Sequence, residues 1–122
     1  PEDLEYFERI REQCATPIAM GELFNNPREW QPLITGKLID FLRMHVSQMG
    51  GITPARHVTS FANHYGIRTA WHGPADTSPV GHAANLHLDV WAPNFGIQEW
   101  CRFAPHIYDM FPGLPEVRNG YM

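Results

Sequence analysis

Residues 67–90 read IRTAWHGPADTSPVGHAANLHLDV. The run opens with Ile67 to Trp71, short and apolar enough for a buried strand. His72-Gly73-Pro74 breaks it, and Thr77 or Ser78 is placed to cap a helix running to about Val90. That helix carries Val80, Ala83, Ala84 and Leu88 as its apolar stripe. One strand, one break and one capped helix make a β/α unit, and the same order recurs on both sides.

Upstream, Thr53 is placed to cap a helix with the stripe Ala55, Val58, Phe61, Ala62 and Tyr65, ended by Gly66. Asp40 to His45 reads as the strand before it, with Gly50-Gly51 as a turn. Further back, Asn25-Asn26-Pro27 starts a helix to about Thr35, with Pro27 as its first residue. Pro17 to Gly21 is another short strand. The first segment is a helix whose stripe is Leu4, Phe7, Ile10 and Cys14, with Glu2, Asp3 and Glu5 at its start and Arg9 and Arg11 later, as the helix dipole prefers. Downstream, Phe95 to Gln98 reads as a fourth strand, and Pro105 to Met110 as a last short helix.

Strands thus begin near 17, 40, 67 and 95, in steps of 23, 27 and 28 residues. Regular alternation with helices predicts an α/β fold with parallel strands and right-handed crossovers. Short apolar strands are expected to be covered on both faces. A complete (β/α)8 barrel needs roughly 250 residues, so four units in 122 residues leave half a barrel or a small doubly wound sheet. No linker or low-complexity tract divides the chain, which reads as one partial-barrel domain over 1–122.

Composition removes several function classes. Nine Lys and Arg against 13 Asp and Glu give a net charge of −4, which argues against a nucleic-acid binder. No run of 18 apolar residues is present to span a membrane. Cys14 and Cys101 lie far apart without a CxxC, which excludes a disulfide scaffold and a cysteine zinc site and fits a reducing cytoplasm. No GxGxxG, Walker A or GxSxG occurs, so nucleotide binding and covalent acyl chemistry have no motif.

In parallel α/β folds, ligands meet the carboxyl ends of the strands. Every expected strand delivers an ionisable residue there: Glu22, then Arg43 and His45, then His72 with Asp76 in the following loop, then Glu99. Glu22 suits Mg²⁺, a hard cation that takes oxygen ligands, or a salt bridge to Arg43. Arg43 suits a bidentate grip on a ligand carboxylate, or that same ion pair. His72 can act as acid, base or hydrogen-bond donor, or be satisfied by Asp76 or Glu99. Glu99 can accept from a ligand hydroxyl, orient His72 or close a rim salt bridge. His57, His64, His82 and His87 lack the i, i+4 spacing of a helical zinc site and read as surface or core-edge residues. His45 stays ambiguous.

Several stretches resemble the D-mannonate dehydratase family, a branch of the enolase superfamily. They are Thr16 to Asn25 (TPIAMGELFN), Gly50-Gly51-Ile52-Thr53, His72 to Val80 (HGPADTSPV), Ala92 to Glu99 (APNFGIQE) and Asn119-Gly120-Tyr121-Met122. The resemblance implies the last four β/α units of a (β/α)7β TIM-type barrel whose capping domain would lie upstream of Pro1. It implies Mg²⁺ held by three carboxylates, of which Glu22 matches the third. Arg43, His72, Asp76 and Glu99 match residues lining a sugar-acid pocket. The implied reaction takes D-mannonate or D-gluconate through an enediolate to 2-keto-3-deoxy-gluconate. The base and acid of that chemistry are expected upstream, so no catalytic residue is expected in 1–122, and the piece alone is expected to be inactive and poorly soluble. The full-length protein is expected to be a cytoplasmic homo-oligomer. Non-catalytic members that bind a sugar acid, including starvation-sensing relatives, are the alternative.

Overall fold

The computed structural model describes residues 3–122; Pro1, and Glu2 of the expected helix start, lie outside the described residues. The chain alternates α1 (Leu4–Gln13), β1 (Ala19–Met20), α2 (Pro27–Thr35), β2 (Phe41–Leu42), α3 (Ile52–His64), β3 (Arg68–Thr69), α4 (Pro79–Trp91) and α5 (Pro105–Met110). β1, β2 and β3 form one parallel sheet in that order, with Ala19 opposite Phe41 and Phe41 opposite Arg68. Parallel pairing continues past the regular strands, since Arg43 N–H donates to the Met20 carbonyl at 2.8 Å and His72 N–H to that of Met44 at 2.9 Å.

Strand alternation sorts the side chains. Leu42, Met44, Thr69 and Trp71 fall on one face and are buried under helices, with Leu33, Ile34, Val58 and Ala62 completing the core. Phe41, Arg43 and His45, with Arg68 and His72, fall on the other. These are partly or fully exposed, although Ala70 between Arg68 and His72 is buried, so the expectation of a sheet covered on both faces is corrected: among the described residues, helices cover one face only.

Local chemistry starts the helices much as expected, with exceptions. Asn26 accepts from Arg28 N–H, and Glu29 reaches back to the Asn26 N–H in a capping box. Ser78, not Thr77, caps α4. Thr53 does not cap α3; Gly51 occupies that position at φ +99° without a side-chain bond. Ile10 is 44% exposed, because α1 lies at the margin and buries only Phe7.

The fourth strand is the main correction. Phe95 makes only an isolated parallel bridge to Thr69. Gly96 and Ile97 both donate to the single carbonyl of Thr69, at 3.0 and 3.2 Å, so no regular ladder forms.

Candidate functional site

Four of the five singled-out residues meet at the carboxyl ends of the strands. Arg43 follows β2 and sits between two carboxylates. Its Nε and Nη2 donate to Glu99 Oε2 and Oε1 at 3.0 and 2.8 Å, a bidentate fork. Its Nη1 donates to Glu22 Oε2. Because Glu99 takes the fork, this edge of Arg43 cannot also grip a ligand carboxylate. Arg43 carries five N–H groups, so part of the guanidinium stays free of these bonds.

His72 completes the cluster. Its Nδ1 lies 2.8 Å from Glu99 Oε2, and its Nε2 faces Glu22 Oε2 at 3.8 Å. A carboxylate only accepts, so Nδ1 carries the hydrogen, and Nε2 makes no hydrogen bond among the described residues. Gly73 N–H also donates to Glu99 Oε2, at 3.2 Å. Asp76 is not brought into this network. It is exposed, and among the described residues no side-chain bond to it is present.

Two glycines make the arrangement possible. Gly21 adopts φ +129°, where a Cβ would meet Met44 and Phe24, and it re-aims the chain so that Glu22 turns toward Arg43. A Cβ on Gly73 would lie 2.1 Å from the Glu99 carbonyl oxygen, so only glycine permits the 73 and 99 segments to approach.

The charges follow from these contacts. Burial works to raise the Glu99 carboxyl, but Arg43, His72 and the Gly73 N–H outweigh it and bring it down to about 2. The Arg43 hydrogen bond likewise lowers Glu22. Glu99 is therefore a committed anchor. Glu22 differs: its side chain is 46% exposed against 33% for Glu99, and its Oε1 takes no part in the Arg43 bond.

That difference bears on Mg²⁺, which prefers six oxygen donors in octahedral array. Glu22 fits as one donor. Among the described residues no group of three or more His, Cys, Asp or Glu is placed to hold a metal ion, so these residues do not complete a site.

Sequence reasoning left three contributors unassigned or misplaced. His45 bonds Ser47 and Thr77 and packs edge-on against His72; burial, and then the proximity of His72, lower its pKa. His82 is fully buried rather than at the core edge, with Nε2 3.2 Å from the Pro74 carbonyl, and burial lowers its pKa as well. Asn85 donates to the His72 carbonyl at 3.2 Å. Both face inward from α4, where Val80 of the expected stripe is 67% exposed. The signal was their spacing with Leu88 on one helical face.

Comparison with known proteins finds relatives along the whole chain. A family model described as enolase C-terminal domain-like matches residues 1–122. A D-galactonate dehydratase family member from Enterococcus gallinarum is 53% identical over 123 residues, covering 100% of this chain and 31% of its own. One from Salmonella enteritidis is 54% identical over 121 residues, covering 99% of this chain and 29% of its own. The crystal structure of an enolase from Pantoea ananatis, with bound D-gluconate and Mg, superposes with a TM-score of 0.93 at 53% identity, over 99% of this chain and 29% of that one. The chain thus spans about 30% of the length of the relatives it matches.

Proposed function

The chain belongs to the enolase C-terminal domain-like family, and from that premise we propose that the complete protein is a Mg²⁺-dependent sugar-acid dehydratase acting on D-mannonate, D-gluconate or both. The observation that carries this reading is the strand-end cluster. Arg43 ties Glu22 and Glu99 together, and His72 joins them on the same rim, with Nδ1 on Glu99 and Nε2 toward Glu22. The Pantoea ananatis structure with D-gluconate and Mg, similar along nearly this whole chain, supports it.

In this reading Glu22 contributes one oxygen to the metal, and the remaining donors come from chain outside 1–122. Bound Mg²⁺ would supply Lewis-acid stabilisation of negative charge developing at the substrate carboxylate. Glu99 holds the Arg43 guanidinium and the His72 ring in fixed orientation, so neither has to reorganise when a ligand arrives. His72 Nε2 offers a hydrogen-bonding position to a substrate hydroxyl. Arg43 keeps positive charge beside Glu22, and Asp76 reaches the substrate from the exposed loop after β3. The proton-abstracting base and the acid lie outside this chain, and 1–122 alone has no dehydratase activity.

The test is turnover by the complete protein. Incubated with Mg²⁺ and D-mannonate or D-gluconate, it is expected to form a 2-keto-3-deoxy acid, and Arg43→Gln is expected to abolish this. Saturable sugar-acid binding without product would instead establish the non-catalytic binder. Neither binding nor product across the sugar acids would overturn the assignment.

A further inference from the structure

His45 joins the two loops that follow β2 and β3. Its Nδ1 lies 2.8 Å from Ser47 Oγ, and its Nε2 3.1 Å from Thr77 Oγ1. Ser47 belongs to the turn after β2, and Thr77 to the loop between His72 and α4. The imidazole also packs edge-on against His72, with ring centroids 5.5 Å apart and planes at 70°. A neutral imidazole donates from one nitrogen and accepts at the other, and a hydroxyl can do either, so this arrangement satisfies both nitrogens at once.

The rest of the 73–78 loop is held from other directions. Gly73 N–H is tied to Glu99, and the Pro74 carbonyl lies within bonding distance of His82 Nε2. Both anchors sit at the start of the loop. Beyond Pro74, Thr77 is buried and its hydroxyl meets His45, while its neighbour Asp76 is exposed. The side-chain hydrogen bond that ties this later part of the loop to the segment after β2 thus runs through His45.

We propose that His45 is a positioning residue: through Thr77 it fixes the loop that carries Asp76, while its ring packs edge-on against His72, whose orientation Glu99 sets. The inference rests on the sugar-acid pocket proposed above. It adds a residue whose role is to determine where Asp76 meets a substrate.

A double-mutant cycle in the complete protein tests it, with two readouts. Amide hydrogen exchange of the peptide covering 73–78 reports loop fixation without any ligand. Steady-state kinetics with a sugar acid report its consequence. Thr77→Val removes the hydroxyl at nearly constant shape, Thr77→Ser keeps it, and His45→Phe keeps the ring against His72 but removes both nitrogens. Thr77→Val and His45→Phe are each expected to speed exchange in 73–78. Each should raise KM on the order of five- to tenfold, the scale of one lost hydrogen bond, with kcat within about twofold. Thr77→Ser should resemble the parent, and the double variant should be no worse than His45→Phe alone. Additive effects, exchange unchanged in Thr77→Val, or Thr77→Ser as impaired as Thr77→Val would overturn the inference. Unchanged KM in a protein that does turn over sugar acids would overturn it too. Coupled exchange in a protein that binds no sugar acid would retain the positioning role of His45 and remove the pocket assignment.

Discussion

Glu99 is the residue on which the others depend, because it binds Arg43, His72 and the Gly73 N–H at once. Its carboxyl is held near 2 against an ordinary value of 4.5. A depressed carboxyl contributes stability that is fully present above its unfolded value and is lost as pH falls through its folded one. Glu99→Gln is therefore expected to melt below the parent at every pH above about 5, and the gap should close between pH 4.5 and about 2. A gap independent of pH in that window would mean that charge is not what Glu99 contributes. Gly73→Ala should be more damaging than its size suggests, since the new Cβ would meet the Glu99 carbonyl at 2.1 Å. A loss of about 1–3 kcal/mol in chemical denaturation, typical of overpacking, is expected together with loss of sugar-acid binding. Of these site residues, the sequence located Glu22, Arg43, His72 and Glu99 through their place at strand ends. It could not rank the contacts, because the choice between Asp76 and Glu99 as the partner of His72 depends on an approach that only Gly73 permits. It left His45 open for a related reason: its two hydroxyl partners lie on different loops.

At the scale of elements, what was legible was whatever local chemistry decides. Asn26, Pro27 and Glu29 announce α2, and Gly66 takes the positive φ that ends α3. Asn26→Ala, which removes the cap, should cost about 1 kcal/mol in a urea titration, and Asn26→Ser should recover most of it. Equal losses for the two variants would show that the side-chain bond to Arg28 N–H contributes little. What was not legible is long-range. An apolar stripe put Val80 and Ala83 toward the core, but α4 turns His82 and Asn85 inward, since each finds a backbone carbonyl of the 72–74 segment. A polar residue whose hydrogen bond is satisfied in the interior looks like a surface residue in sequence. The fourth strand failed similarly. Phe95 to Gln98 has strand composition, but a strand needs a regular ladder, and here two amides converge on one carbonyl.

At the scale of the whole molecule, Asp89 stands out among the buried polar groups that lack a counterpart among the described residues, because it is a carboxylate with neither oxygen paired. Both carboxylate oxygens of Asp89 are buried and lack a hydrogen-bond partner among the described residues, beside a cavity of about 450 Å³ lined in part by Phe95, Ile97 and Tyr121. Burial pushes this carboxyl up to about 7 from 3.8. For a raised carboxyl the folded state is favoured while the group is protonated, and stability falls as pH rises from the unfolded value to the folded one. Asp89→Asn in the complete protein should therefore stabilise little near pH 4. By pH 8 the gain should reach about 1–2 kcal/mol, after discounting for partial exposure. A constant difference across that range would show that the carboxylate is already paired. At the carboxyl ends of the strands, Glu22 is the carboxylate left open enough to serve a metal. Calorimetric titration of the complete protein with Mg²⁺, parent against Glu22→Gln, tests it most directly. Glu22→Gln should weaken Mg²⁺ binding by at least about tenfold and abolish sugar-acid turnover, with the thermal midpoint of the metal-free protein nearly unchanged. Mg²⁺ affinity and turnover equal to the parent would remove Glu22 from the metal site and leave it as the ion-pair partner of Arg43 alone.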